Sequence, residues 1–286
     1  MSDWAESNDI FVDEQAGFRK ERSTVDQLFI LFETIRSRRP KATYVAFLDI
    51  AKAYDKVYRN GVWYKLWKLG IRGKMWRVLK NIYRKVESCV LLGDRRTAWF
   101  LIEVGLRQGC ILSPILFLFF INDLRDVVSR LNKGVQVGDR KLSILFFADD
   151  IAVVAESKED LEEMLDCIYS YGVHWRIKWN LDKSGVILFH TKSRSPIVYG
   201  TNCTNLCNCN HHFRFGPFLI NEVLVYRYLG LDIDYRLILK DFKFKILSKA
   251  RSNCGRIWSM GIKEGVLSAI AAINLYQSLV VSGLEY

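Results

Sequence analysis

The sequence predicts an α+β domain in which helices cover a small antiparallel sheet. Helix-like and strand-like segments follow one another in the order helix, strand, helix, hairpin, helix, strand. Of the 286 residues, 50% are hydrophobic, with eight Trp and seventeen Phe, which is ample for one large core or two modest ones. Only four Pro, 26% charged residues and no long polar tract argue against disorder. The formal charge of +11 permits a polyanionic partner such as nucleic acid without requiring one.

Residues 1–21 are polar and acidic and read as mobile at the start. Ser23 and Thr24, ahead of the run from Val25 to Phe32, read as a capped helix, and Pro40 ends that region. Tyr44 to Asp49 is a strand candidate, with Asp49 at its C-terminal end, where open sheets often place functional groups. Residues 60–85 have helical periodicity, through Trp63, Leu66, Trp67 and Leu69 and then Met75, Trp76, Leu79, Ile82 and Tyr83. Between Arg72 and Arg96 stand Arg72, Lys74, Arg77, Lys80, Arg84, Lys85, Arg95 and Arg96, opposed only by Glu87 and Asp94. A solvated helix face accounts for that stretch, and so does a surface contacting a nucleic-acid backbone.

Cys89–Leu92 and Thr97–Val104 read as a hairpin around Gly93-Asp94, followed by a turn at Gly105–Cys110. Ser113-Pro114 fits a helix start, with Ser as cap and Pro at the first helical position; the helix then runs through Leu116, Phe117, Phe120, Ile121 and Leu124. Leu142–Phe147 and Ile151–Ala155 form a second hairpin, and Ser157 opens a further helix through Leu161, Met164, Leu165, Ile168 and Tyr169. Asn180–Lys183 is a polar corner before a strand at Gly185–Phe189, and a two-stranded unit follows at Phe213–Ile220 and Val223–Tyr226. From Ile238 onward the chain reads as mainly helical, with a second basic stretch of Lys240, Lys243, Lys245, Lys249, Arg251 and Arg256.

The chemistry centres on the second hairpin, where Asp149 and Asp150 interrupt the apolar run from Leu145 to Val154. Adjacent like charges beside apolar surface are costly unless something positive neutralises them, and a divalent cation does that. Asp49 offers a further carboxylate at another strand end, so one hard-cation site assembled from Asp49, Asp149 and, more weakly, Asp150 is expected. Carboxylates that hold two divalent ions suit phosphoryl and nucleotidyl transfer. On the residues alone, the Asp pair also reads as an ordinary hairpin turn, where Asp is favoured for local hydrogen bonding.

The seven cysteines are mostly scattered, which suits an intracellular, reducing setting; nucleus and cytoplasm are not distinguished. No targeting segment is apparent, and the longest apolar run, Ile115 to Ile121, is too short to span a bilayer, so no membrane partner is expected. Cys203, Cys207, Cys209, His211 and His212 cluster tightly but match no common zinc-finger spacing, and a polar loop with free thiols is the preferred reading.

An ordered series of motifs over residues 14 to 235 resembles the reverse transcriptase domain of non-LTR, LINE-like retrotransposons, with wider similarity to group II intron maturases. Phe47-Leu48-Asp49-Ile50-Ala51-Lys52-Ala53-Tyr54-Asp55 resembles the first palm motif, Arg107-Gln108-Gly109-Cys110-Ile111-Leu112-Ser113-Pro114 the second, and Phe147-Ala148-Asp149-Asp150 the catalytic turn. Asn180-Leu181-Asp182-Lys183-Ser184 resembles the motif after that turn, Tyr228-Leu229-Gly230 the start of the primer grip, and Gly17–Thr24, which includes Arg22, a fingers motif with Glu21 where Gly is usual.

The resemblance implies a palm-type antiparallel sheet packed on helices, with partial fingers at 1–43, palm at 44–235 and a partial helical thumb at 236–286. It implies an RNA-directed DNA polymerase using Mg²⁺, or Mn²⁺ in its place, with an RNA template, a DNA primer and deoxynucleoside triphosphates as partners. Asp49, Asp149 and Asp150 then hold metal, Lys183 assists at the triphosphate, and Tyr54 excludes a 2′-hydroxyl. Arg107, Gln108, Gly109, Arg22 and Asn180 face nucleotide or template. Most of the family's fingers have no counterpart here, so an open-reading-frame fragment or a truncated element product is expected, with activity open. A non-catalytic nucleic-acid-binding remnant is the alternative.

Overall fold

The computed structural model describes residues 1–189, 212–237, 240–259 and 268–281, and the chain divides into two compact units, Met1–Leu224 and Val225–Tyr286. The first unit is built on a four-stranded antiparallel sheet in the order Gly185–Phe189, Thr43–Leu48, Asp150–Ala155, Ile144–Phe147. Val45 to Leu48 and Ile151 to Ala155 are buried without a break. Successive strand residues point to opposite faces, so both faces of these inner strands are covered, which is why their sequences lack polar alternation. Leu48 lies opposite Ile151, and Phe47 opposite both Ala152 and Gly185.

The N-terminal stretch, expected to be mobile, is folded. Helix α1 spans Ser2–Ser7, and the chain then lies along the sheet's outer strand: the Phe146 N–H donates to the Glu14 carbonyl (2.9 Å) and the Ala16 N–H to the Phe146 carbonyl (3.0 Å). Arg19 ties this stretch down, donating to the Glu6 carboxylate (2.8 and 2.6 Å) and to the carbonyls of Val12 (2.8 Å) and Gln15 (3.0 Å). Charge pairing and edge pairing order the segment, and neither leaves a periodic apolar signal.

Helix α2, Thr24–Ser37, starts as expected: Ser23 Oγ accepts from the Asp26 N–H (3.2 Å), and the Asp26 carboxylate accepts from the Ser23 N–H (2.7 Å). The helical region at 60–85 is two helices, α3 (Arg59–Lys68) and α4 (Gly73–Ile82). Gly70 and Gly73, at φ +91° and +65°, take the backbone out of the helical region between them. Helix α5, Leu112–Ile121, is buried from Ile115 onward, and α6, Leu124–Ser129, follows it. Ser113 does not cap α5. It lies inside the helix, and its hydroxyl donates to the Arg107 carbonyl (2.5 Å) and pairs with the Tyr83 hydroxyl (3.1 Å). Helix α7, Lys158–Trp175, is capped by Ser157 as expected.

The single two-stranded unit expected at 213–226 is instead two hairpins. His212–Phe215 pairs with Phe218–Asn221 around Gly216-Pro217, and Val225–Tyr228 pairs with Leu231–Asp234 around Leu229-Gly230. Both loops use positive φ, at Gly216 (+58°) and at Leu229 and Gly230 (+48° and +82°), the geometry that matches strand twist. The first hairpin packs on α7, with Tyr169 edge-on to Phe215, and belongs to the first unit. The second unit adds helices α8, Lys240–Ile257, and α9, Ala269–Tyr276. Of the Cys203–His212 cluster only His212 lies within the described residues; its Nδ1 pairs with the Asn221 side-chain oxygen at 2.8 Å. No helix among the described residues is long and apolar enough to cross a membrane.

Helices α3, α5 and α7 meet at Lys65, which is only 4% exposed. Its ammonium donates to the Phe120 carbonyl (2.5 Å), Asp123 Oδ1 (2.5 Å) and the Tyr171 hydroxyl (2.6 Å), and lies 4.0 Å from the Trp175 ring centroid. Burial pushes this ammonium down to about 8, against the opposing pull of Asp123. Truncation to Lys65→Ala strands these acceptors and is expected to cost about 3 kcal/mol, whereas Lys65→Met, which keeps the packed stem, costs less. Urea denaturation of the two variants measures the difference.

Candidate active site

The paired residues Leu48 and Ile151 stand next to Asp49 and Asp150 in the chain, so the two strand ends bring the acids to one corner of the sheet. There the charge of Asp49 acts on both Asp149 and Asp150. Asp149 occupies the loop between the paired residues Phe147 and Asp150. A polar corner holds Asp49 from the other side. The Asn180 N–H donates to the Asp49 carbonyl (2.9 Å), and the Ser184 hydroxyl accepts from the Asp49 N–H (3.2 Å) while donating to the Asn180 carbonyl (2.8 Å). Asn180 and the neighbouring Lys183 are thereby tied to the same strand end.

Burial raises the Asp149 carboxyl, and the charge of Asp49 adds to it. Burial, then repulsion from Asp149 and Asp49, pushes Asp150 up to about 6. No lysine or arginine forms an ion pair with any of the three among the described residues. An all-oxygen donor set with unbalanced negative charge suits a hard divalent cation. Among the described residues there is no ready-made cluster of three metal-ligating side chains.

Tyr54 borders the acids. Its ring lies 5.2 Å from that of Phe117, its hydroxyl is buried without a hydrogen-bond partner among the described residues, and burial and then the Asp149 charge push the phenol up to about 12. The turn 105–110 is fastened to the loop carrying Tyr54, with the Leu106 N–H donating to the Tyr54 carbonyl (2.7 Å) and the Gly105 N–H to that of Val57 (3.0 Å). A side chain on Gly105 would meet the Asp55 carbonyl oxygen at 2.3 Å, so glycine permits this approach. Arg59 braces the same turn by donating to the carbonyls of Gly105 (2.6 Å), Ile102 (2.8 Å) and Val104 (3.1 Å).

The family model described as "Reverse transcriptase (RNA-dependent DNA polymerase)" matches residues 3–233. The chain belongs to the reverse transcriptase family. Among curated relatives, the "RNA-directed DNA polymerase from mobile element jockey" of Drosophila funebris is 27% identical over 285 residues, covering 95% of this chain and 28% of that protein. Its Drosophila melanogaster counterpart is 25% identical, over 95% of this chain and 28% of the relative. An R2 element Pol polyprotein of Nasonia vitripennis is 32% identical over 131 residues, 45% of this chain and 12% of the relative. The chain therefore spans less than a third of these relatives. Apo telomerase from Candida tropicalis aligns with a TM-score of 0.52 at 11% identity, over 82% of this chain and 38% of that one, a likeness of fold alone. These matches place the chain with the non-LTR, LINE-like reverse transcriptases, and the mixed α+β fold agrees with that family's palm.

Among the sequence-predicted residues of this reverse transcriptase domain, Asp49, Asp149, Asp150 and Tyr54 interact electrostatically. Gln108 is exposed and donates to Asp55 Oδ1 at 2.8 Å, and Arg107 is exposed beside it. Gly109, at φ +77°, serves a left-handed turn; a side chain there would touch nothing within 4 Å, so close approach within the chain is not its reason. Arg22 stands 3.5 Å from Asp13 in a cleft of about 400 Å³ shared with Arg140 and Lys141. Sequence reasoning passed over Arg59 and Gln15, isolated polar residues outside any period; the only hint at Gln15 was Gly17 two residues on.

The sign of the Asp150 shift yields a test. The folded carboxyl keeps its proton up to about pH 6, while an unfolded one releases it near the usual 3.8. In EDTA, stability therefore falls as pH rises from about 4 to about 6. Asp150→Asn removes that loss, so its melting temperature at pH 7.5 should exceed the parent's by about 1–2 °C, a small figure because the group is partly solvated. The gap should close below pH 4 in thermal scans.

Proposed function

We propose that this chain is the polymerase segment of a LINE-like element and performs RNA-directed DNA synthesis, adding deoxynucleotides to a primer 3′ hydroxyl on an RNA template. The observation that carries the reading is the meeting of Asp49 with Asp149 and Asp150 at one corner of the sheet in a member of the reverse transcriptase family. In this reading residues 1–43 contribute fingers, 44–235 the palm and 236–286 part of a thumb.

Asp49 and Asp149 would hold Mg²⁺ or Mn²⁺, with Asp150 supporting them. The bound metal supplies a lowered pKa for the attacking hydroxyl and charge stabilisation at phosphorus. The chain's own residues do the rest. Tyr54 stands against the sugar edge and disfavours a 2′-hydroxyl. Lys183, exposed at the polar corner, meets the triphosphate and donates a proton to the leaving pyrophosphate. Arg107, Gln108 and Gly109 present the turn that meets the templating pair, and Asn180 keeps the Asp49 strand end in register. All eight cations between Arg72 and Arg96 are exposed, which fits phosphate tracking along template and primer.

A second reading, a nucleic-acid-binding remnant without catalysis, is favoured by the lack of a preformed three-ligand metal cluster among the described residues. Primer extension on an RNA template with Mg²⁺ separates the two. Extension that falls at least ~1,000-fold in Asp149→Asn supports the polymerase. Tight template binding with no extension in the parent chain supports the remnant.

Tyr54→Ala is expected to narrow the preference for deoxy over ribonucleotides by about 10–100-fold, read from competing incorporation. Replacing Arg95 and Arg96 together by Gln should lower the slope of log affinity against log salt by about 1–2, with little dependence on template sequence.

A further inference from the structure

We propose that Gln15 is a positioning residue that holds the catalytic turn in shape; its link to catalysis rests on the polymerase reading above. The loop between Phe147 and Asp150 has two residues, and of these Ala148 alone takes a positive φ, +58°. In a loop of that kind the first position favours glycine, because a Cβ is strained there. Ala148 also lies outside the strand ladder, so its amide and carbonyl need partners from elsewhere.

Gln15 supplies them. It is 1% exposed, and its side-chain oxygen accepts from the Ala148 N–H (2.9 Å) and from the Gly17 N–H (2.8 Å). Its amide nitrogen donates, at a longer 3.5 Å, to the Ala148 carbonyl. Gly17 packs directly over the turn, where a Cβ would meet the Ala148 nitrogen at 2.3 Å. The segment bearing Gln15 is itself anchored. Glu14 is held through its carbonyl by the Gln27 amide (3.1 Å) and through its carboxylate by Arg125 (3.0 Å), and Arg19 donates to the Gln15 carbonyl (3.0 Å).

Two elements distant in sequence thus fix a backbone conformation that Ala148 disfavours by itself. Asp149 is the next residue, so rotation of Ala148 into an ordinary region swings the Asp149 carboxylate away from Asp49. Gln15 reaches no reacting atom; it acts through the Ala148 peptide.

The test uses Gln15→Met, which keeps the volume and removes the hydrogen bonds, with and without Ala148→Gly. Hydrogen exchange in EDTA should show amides 146–150 exchanging at least ~10-fold faster in Gln15→Met, with amides 45–48 unchanged. In primer extension kcat should drop ~30–100-fold with KM for nucleotide within about threefold, since a misplaced carboxylate costs rate more than binding. Adding Ala148→Gly should restore kcat by at least ~10-fold, because glycine adopts the left-handed conformation unaided. Parent-like exchange at the turn in Gln15→Met overturns the proposal. So does faster exchange throughout the sheet with no recovery from the glycine, which marks a general packing role. Should the parent chain extend no primer, the polymerase reading falls, and the exchange measurements alone decide whether Gln15 holds the turn.

Discussion

Like-charged carboxylates do not gather without compulsion, and here the compulsion is an antiparallel ladder. The pairing of Leu48 with Ile151 sets Asp49 and Asp150 at the same end of the two strands, whatever their charges prefer. The energy for that placement comes from the apolar residues on either side, Val45 to Leu48 and Ile151 to Ala155, whose burial outweighs the local repulsion. Burial raises the carboxyl groups of Asp149 and Asp150, and the repulsion adds to it. The negative charge of this reverse transcriptase domain is thus gathered at the point where its core ends.

Positive charge is arranged in the opposite way. The cations between Arg72 and Arg96 stand in water on α4 and the hairpin that follows, free to meet a polyanion. Lys65, by contrast, is drawn inside by Asp123, Tyr171 and a carbonyl at the junction of three helices. A buried ammonium satisfied this fully adds little net stability, but it fixes where α3 meets α5 and α7. Helix α5, apolar nearly all round, offers few other directional contacts to set that geometry.

Much of this was legible in the sequence, and the reasons differ by element. Gly185–Phe189 and the Asp-bearing hairpin announced themselves because apolar runs of strand length have few alternatives. The caps of α2 and α7 were readable because Ser supplies an acceptor where free N–H groups need one. Ser113 misled because its hydroxyl found Tyr83 and the Arg107 carbonyl, partners that spacing cannot reveal. The break at Gly70–Gly73 was hidden by apolar periodicity continuing on both sides. At the site, Asp49 and Asp149 were raised first as acids at strand ends and then, with Tyr54, by motif resemblance, whereas Gln15 and Arg59 act through side-chain-to-backbone contacts that leave no pattern.

The main-chain pairing of residues 14–16 with the Ile144–Phe147 strand has another consequence. A sheet ordinarily ends in a row of unsatisfied amides and carbonyls that invites a strand from a second molecule. Here that margin is occupied by the chain's own beginning. At the opposite margin, Val186 bridges to Glu222, and its carbonyl accepts from the Val223 N–H. Partly covered on both borders, the sheet offers less purchase for intermolecular zippering than two bare edges would. The hairpin in which Leu91–Leu92 pairs with Arg95–Arg96 and Glu87–Ser88 with Phe100–Leu101 leaves Leu91, Leu92, Trp99 and Phe100 exposed, and it is the surface to watch during purification.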